Sequence, residues 1–198
     1  MRKGLWLGTL LLLMGASLSA QGFSHYRDQF WKQMRATCRP GLRWEKSVTE
    51  LEGSAVKSNE VRTFDLDCQK GTATDAKGTL NITGAEFAHL FEFAFDNPYL
   101  EEHLDLKRDA QGVTATVKSG HESDCKLQAQ RFSIDPATGN LSEAHAHIKK
   151  GSLLYDLEVD ITVKFGPDGR YLSHQIETRT DVWLGGEVHT QIQAHLLP

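Results

Sequence analysis

The chain has 198 residues, with 22 Lys and Arg against 26 Asp and Glu, a formal net charge of −4 and 39% hydrophobic residues. That length suits one domain with a well-developed core, and a mildly acidic chain without a long basic run is a poor candidate for binding nucleic acid. There is no repeat or low-complexity tract, and Pro is sparse, so nothing marks a linker.

At the N-terminus, Arg2 and Lys3 precede an apolar run from Leu5 to Met14 and then the small residues Gly15-Ala16-Ser17-Leu18-Ser19-Ala20. This is the pattern of a secretory signal peptide. The run is shorter than the roughly 20 residues of a membrane span. We read residues 1–22 as the signal peptide and 23–198 as a single domain. Small residues at −3 and −1 allow cleavage after Ser19 or Gly22. No cysteine follows the run before Cys38, so the acylated cysteine of a bacterial lipoprotein is missing. The expectation is a soluble, exported protein, periplasmic in a bacterium, where disulfides are allowed.

Phe23 to Cys38 reads as an amphipathic helix. Tyr26, Phe30 and Met34 share a face with Trp31 beside them, Arg27, Asp28, Lys32 and Arg35 face elsewhere, and Pro40-Gly41 stops it. Arg43 to Leu51 and Glu60 to Cys68 then look like a hairpin around the polar stretch 52–59. A central helix is expected from Ala85 to Phe95. It is opened by the capping box Thr83-Gly84-Ala85-Glu86, striped by Phe87, Leu90, Phe91, Ala94 and Phe95, and ended by Asn97-Pro98. Tyr99 to Leu104 adds a short helical turn. Beyond it, alternation takes over: Val113, Ala115 and Val117, then Leu127 and Ala129, then Phe132 to Ile134 running into the turn Asp135-Pro136-Ala137-Thr138-Gly139. Ala144, Ala146 and Ile148 oppose Glu143, His145, His147 and Lys149. Leu153, Tyr155, Leu157, Val159, Ile161, Val163 and Phe165 are expected to face inward, with Asp156, Glu158, Asp160 and Lys164 outward, and Gly166-Pro167-Asp168-Gly169 closes that hairpin. Leu172, Ile176 and Val182 continue on the next strand, and Val188, Ile192, Ala194 and Leu196 on the last.

Strict period-two alternation means one buried face and one wet face, which favours antiparallel pairing. The expected class is α+β: a strongly curved antiparallel sheet, a half-open barrel of roughly seven or eight strands. Its apolar face is covered by the N-terminal and central helices. A closed lipocalin-like barrel is the alternative. Of the three cysteines, Cys38, Cys68 and Cys125, one pair can bridge and one thiol is left over. The shared contexts Asp67-Cys68 and Asp124-Cys125 favour Cys68–Cys125, with Cys38–Cys68 next.

The layout, with Phe132-Ser133-Ile134-Asp135-Pro136-Ala137-Thr138-Gly139-Asn140-Leu141 followed by the hairpin from Leu157 to Gly169, resembles the outer-membrane lipoprotein carrier and sorting (LolA-like) family. The resemblance covers about Gly112 to the C-terminus. It implies a periplasmic protein that shields acyl chains in an apolar cavity, and no functional position of that family maps onto a motif here.

For chemistry, His145-Ala146-His147 is the best metal-like pattern, since two imidazoles at i and i+2 on a strand project from one face. A third ligand from His174, His189 or His121 would complete it. The plainer reading is the wet face of an amphipathic strand, and we assign no metal. His103 beside Glu101, Glu102 and Asp105 reads as a solvated helix end. Gly-x-Ser-x-Gly, His-Glu-x-x-His, the phosphate loop and Gly-x-Gly-x-x-Gly are all absent. Phe87, Phe91, Phe93 and Phe95, with Leu157, Val159 and Ile161, are the candidate ligand-binding set, although the helix stripe among them would equally pack a core. The expected function is a non-enzymatic, monomeric, cofactor-free carrier or chaperone for an apolar or acylated ligand such as a lipid or lipoprotein. The alternatives are an envelope-assembly protein that pairs with an envelope partner through its sheet edge, and a metal-dependent hydrolase using the sheet histidines.

Overall fold

The computed structural model describes residues 23–37, 42–53, 55–67, 72–81, 94–95, 103–123, 126–183 and 185–197. Helix α1 (Phe23–Thr37) is followed by β1 (Leu42–Glu52), β2 (Ala55–Asp67), β3 (Thr72–Asp75), β4 (Gly78–Asn81), β5 (Leu104–Asp109) and β6 (Gly112–Val117). Then come β7 (Leu127–Ile134), β8 (Leu141–Gly151), β9 (Tyr155–Phe165), β10 (Tyr171–Val182) and β11 (Gly186–Leu197).

All eleven strands join one sheet in the order β4-β3-β2-β1-β11-β10-β9-β8-β7-β6-β5. Every neighbour pair is antiparallel and, except for β1 with β11, consecutive in sequence. The chain thus lays its first strand against its last, from Arg43↔Leu197 to Leu51↔His189. Closing the barrel would require β4 to pair with β5, yet both stand at edges, so the sheet is open. Register shifts at Glu50/Leu51, Leu127/Ala129, Ser133/Ile134 and Tyr171/Ser173 are bulges of the kind that bend strands and curve a sheet. The closed-barrel alternative is therefore corrected to an open, curved sheet.

The expected seven or eight strands are also too few. The short hairpin β3–β4 has only four residues per strand, too little for alternation to register. β5 has one buried residue in six, because an edge strand with a wet face leaves hydrophobicity little to mark. Leu104 accordingly starts a strand instead of ending a helical turn. The polar stretch 52–59 is mostly strand as well: β1 and β2 meet across a tight turn at Gly53, and Ala55 to Glu60 are all exposed. Of the central helix, Ala94 and Phe95 are described; they are helical and buried. Residues 82–93, including Phe87, Phe91 and Phe93, lie outside the described residues, as do the signal segment and all three cysteines.

The two turns read from sequence are present. Asp135 accepts the Ala137 N–H at 2.9 Å and the Thr138 hydroxyl at 3.1 Å, and Gly139 takes the left-handed conformation (φ 72°) that closes the loop. Gly112, which opens β6, is sterically required: a Cβ there would lie 2.0 Å from the Phe132 carbonyl oxygen.

One face of the sheet is the core. Its inner row runs through Val113, Phe132, Ala144, Val163 and His174, each paired with the next across β6 to β10. Helix α1 lies on this face with Phe23, Tyr26, Arg27, Phe30, Gln33 and Thr37 buried. Phe30 stacks on Phe95 (ring centroids 4.6 Å) and meets Phe165 edge-on (5.7 Å), while Phe23 packs on Phe132 (5.4 Å). The buried stripe differs from the expected one. Met34 is only partly buried, and Arg27, expected outward, is buried with its guanidinium over the Phe23 ring. Gln33 goes inside because its amide is satisfied there. It accepts from the Leu141 N–H at 2.8 Å and donates to the carbonyls of Leu141 and Gly169, each at 3.0 Å. At the helix end, the Thr37 hydroxyl accepts the Tyr171 N–H at 2.6 Å, beside the bulge where the β9–β10 register shifts.

Candidate functional site

The inner face has two ends. At one, α1 and Phe95 cover the sheet, and Val159 and Ile161 belong to the filled core with Phe95. Along β9 the row then runs out from under the helix. Ile161 pairs with Ile176, Val159 with Thr178, and Leu157 with Thr180, which pairs in turn with Val188. Burial falls in the same direction: Ile161 is fully buried and Leu157 half-buried, while Val182 and Val188 are exposed. Ile192 is half-buried against the core.

Beyond this row lie two neighbouring turns, β8–β9 and β10–β11, joined by a hydrogen bond from the Trp183 N–H to the Leu154 carbonyl (3.2 Å). They carry Leu153, Leu154 and Trp183 at 97%, 67% and 77% exposure; Leu153, expected inward, stands before the start of β9 at Tyr155, outside the alternation that would turn it to the core. An apolar track therefore leads from the core to solvent at this end of the sheet. Scattered exposed apolar residues need no explanation, but a contiguous set marks an interaction surface.

Across β11, β1 and β2 the same face is mixed: Val48 pairs with Ile192 and Trp44 with Leu196 and Phe64, while Thr190 pairs with Glu50, Ala194 with Lys46, and Lys46 with Arg62. The Arg62 guanidinium lies over the Phe64 ring and bonds Asp75 at 2.6 Å. That hydrogen bond holds the Asp75 carboxyl below its usual range.

His174 sits between these regions, buried, with Nδ1 2.8 Å from the Tyr171 hydroxyl and its ring against Trp44. Desolvation pushes its pKa down to about 3, with Lys46 adding to the shift, and burial raises that of Tyr171. His174 is a neutral core histidine and cannot join the histidines of the wet face. A cavity of about 150 Å³ beside it is lined by Thr162, Lys164, Ser173, Gln175 and His195 among others. Most of its lining residues are polar types, and it is smaller than the roughly 300–1,000 Å³ of a small-molecule pocket.

On the outer face His145 and His147 project together, as their spacing requires. Neither His189 nor His121 joins them: His189 Nε2 lies 2.9 Å from a Glu177 oxygen, and the His121 ring packs against His103 at 4.8 Å. The group that does approach is Asp160, opposite His147 across the β8–β9 ladder. Alternation places Asp160 outward on its strand, but its meeting with His147, 13 positions away, depends on the pairing of β8 with β9. Counting back from the Gly151–Tyr155 turn would have placed it there.

No protein-family model matches this chain, and no curated protein does. Among solved structures, it is similar to a DUF1329 family protein from Desulfovibrio piger (13% identity, 87% of this chain and 90% of that one, TM-score 0.32). It is also similar to a putative outer membrane lipoprotein-sorting protein domain from Vibrio parahaemolyticus (11%, 89% and 92%, TM-score 0.34). A third is a LolA superfamily protein from Nitrosomonas europaea (7%, 87% and 94%, TM-score 0.28). No helix among the described residues is long and apolar enough to cross a membrane.

Proposed function

We propose that this is an exported, non-enzymatic carrier or chaperone that takes an acyl chain, of a lipid or lipoprotein, onto the inner face of its sheet. The observation that carries the reading is the apolar track from Val159 through Leu157, Val182 and Val188 to Leu153, Leu154 and Trp183. Affinity comes from apolar burial, at about 25 cal/mol per Å², with no energy source. The polar groups Thr190, Lys46 and Arg62, set among apolar residues on the same face, suit a ligand with a polar head, and Phe87, Phe91 and Phe93 are expected to add apolar lining. The N-terminal basic and apolar segment supplies export.

Native mass spectrometry of protein purified from its own host envelope tests both parts. The expected species begins between Ala20 and Phe23 and carries a lipid adduct. An intact Met1 would defeat export. The carrier reading is tested further by titrating the purified chain with a fatty-acid fluorophore. Binding is expected at tens of micromolar or tighter (roughly −6 kcal/mol). Leu154→Asp should weaken it about tenfold, since a carboxylate in an apolar contact is costly, with little change in the unfolding midpoint because Leu154 is 67% exposed in the free chain. A chain that binds no fatty acid, phospholipid or acylated peptide at that level is not a carrier.

A further inference from the structure

The outer end of the apolar track is a hydrogen-bonded tip. In the β8–β9 turn the Ser152 hydroxyl accepts the Leu154 and Tyr155 N–H groups, each at 3.2 Å, and the Ser152 N–H donates to the Tyr155 carbonyl at 2.8 Å. In the β10–β11 turn the Gly185 N–H donates to the Val182 carbonyl at 2.9 Å, and the Trp183 N–H ties the two turns together. The backbone is thus fixed with Leu153 almost wholly exposed and Leu154 and Trp183 largely so. We propose that Leu153, Leu154 and Trp183 insert together into the surface of a phospholipid bilayer, seating the chain where an acyl group enters or leaves its track. The docking rests on the carrier reading for its purpose, and it names the partner from which the ligand is exchanged.

Area and side-chain type favour a bilayer over a protein partner. A stable protein interface takes about 800 Å² and roughly 20–30 residues from each side, and three side chains on two turns fall short of that. Interfacial anchoring has no such threshold and scales with the apolar area inserted. Leucine suits the acyl boundary, and the amphipathic ring of tryptophan suits the headgroup level. Val182 and Val188 stand exposed behind the tip and lead to Leu157 through Thr180. Insertion of the tip therefore brings the open end of the track to the acyl layer.

The charges beside the tip set the kind of surface. Asp181 pairs with Asp156 on one side and with Glu187 on the other, so three exposed carboxylates stand in one row across β9, β10 and β11. Of the neighbouring cations, Lys149 is engaged by Glu158 at 2.8 Å and Arg179 by Glu177 at 2.7 Å, while Lys150 lies over the Tyr155 ring at 5.8 Å. This row repels an anionic surface. Docking is therefore apolar, suits zwitterionic lipid, and is insensitive to salt.

The test is co-sedimentation of the purified chain with phosphatidylcholine vesicles. The wild-type chain should bind, and Leu153→Asp should weaken the partitioning about tenfold or more, because a carboxylate resists transfer into an apolar layer. Leu172→Asp, also at an exposed leucine but at the opposite end of β10, should change it less than about twofold. Should a variant fail to fold, the wild-type chain still answers: brominated phosphatidylcholine should quench the emission of Trp183, and Trp183→Phe should remove that quenching. A wild-type chain that does not bind these vesicles overturns the proposal. So does binding that Leu153→Asp leaves undiminished, or binding that requires anionic lipid and is lost as salt rises. A wild-type chain that takes up the fatty-acid fluorophore but no vesicles refutes the docking alone, and one that binds vesicles but no fluorophore refutes the carrier reading alone.

Discussion

His174 is the side chain whose burial has the clearest consequence in solution. Its folded-state pKa of about 3 lies below the ordinary value of 6.5, chiefly because burial penalises the imidazolium. Between pH 6.5 and 3 the unfolded chain therefore carries one proton more at this residue than the folded chain. Stability falls as pH drops through that window, by about 1.4 kcal/mol per unit, and His174 adds no pH dependence above it. Denaturant unfolding at pH 7, 6 and 5 should show this slope in the wild type and a slope smaller by about that amount in His174→Gln. Equal slopes would mean that the histidine is not held neutral. Alternation already set it apart: His174 shares the two-residue period of Leu172 and Ile176, whereas His145 opposes Ala144 and Ala146, so as a third ligand it was on the wrong face, and the register His174↔Val163 seats it in the core.

Helix α1 is held by shape and by hydrogen bonds together. Its aromatic residues pack against Phe95, Phe132 and Phe165, and Gln33 ties it to the starts of β8 and β10 through three buried bonds. Gln33→Ala leaves backbone groups of Leu141 and Gly169 without that partner and should cost about 3 kcal/mol. Gln29→Ala removes one exposed bond to the Gly139 carbonyl and should cost less than about 1 kcal/mol. Equilibrium denaturation of the two variants compares them directly, and similar losses would show that Gln33 is not a latch. The helix itself was legible from its aromatic spacing. Gln33 was not, since a glutamine looks polar until backbone groups more than a hundred residues away are placed beside it.

Across the molecule, an open sheet leaves two edges that invite pairing with another chain. β5 is short and carries Asp105, Lys107, Arg108 and Asp109 exposed, charges that discourage strand addition. We expect the wild-type chain to sediment as a monomer and the double variant Asp105→Val, Lys107→Val to self-associate at the same concentration in analytical ultracentrifugation. A variant that stays monomeric would show that these charges do not guard the edge. The antiparallel meander, its two glycine-closed turns and the covering helix follow from local chemistry. Alternation reports a half-buried strand, a three- to four-residue period a half-buried helix, and Asp, Pro and Gly a turn, each within a dozen residues. Three features depended on long-range assembly: the pairing of β1 with β11 that leaves β4 and β5 as edges, the weakly patterned strands β3, β4 and β5, and the meeting of Asp160 with His145 and His147. Burial produces a periodic signal only where a face is dry, and residue order contains no record of which distant strand, or which backbone carbonyl, will lie opposite.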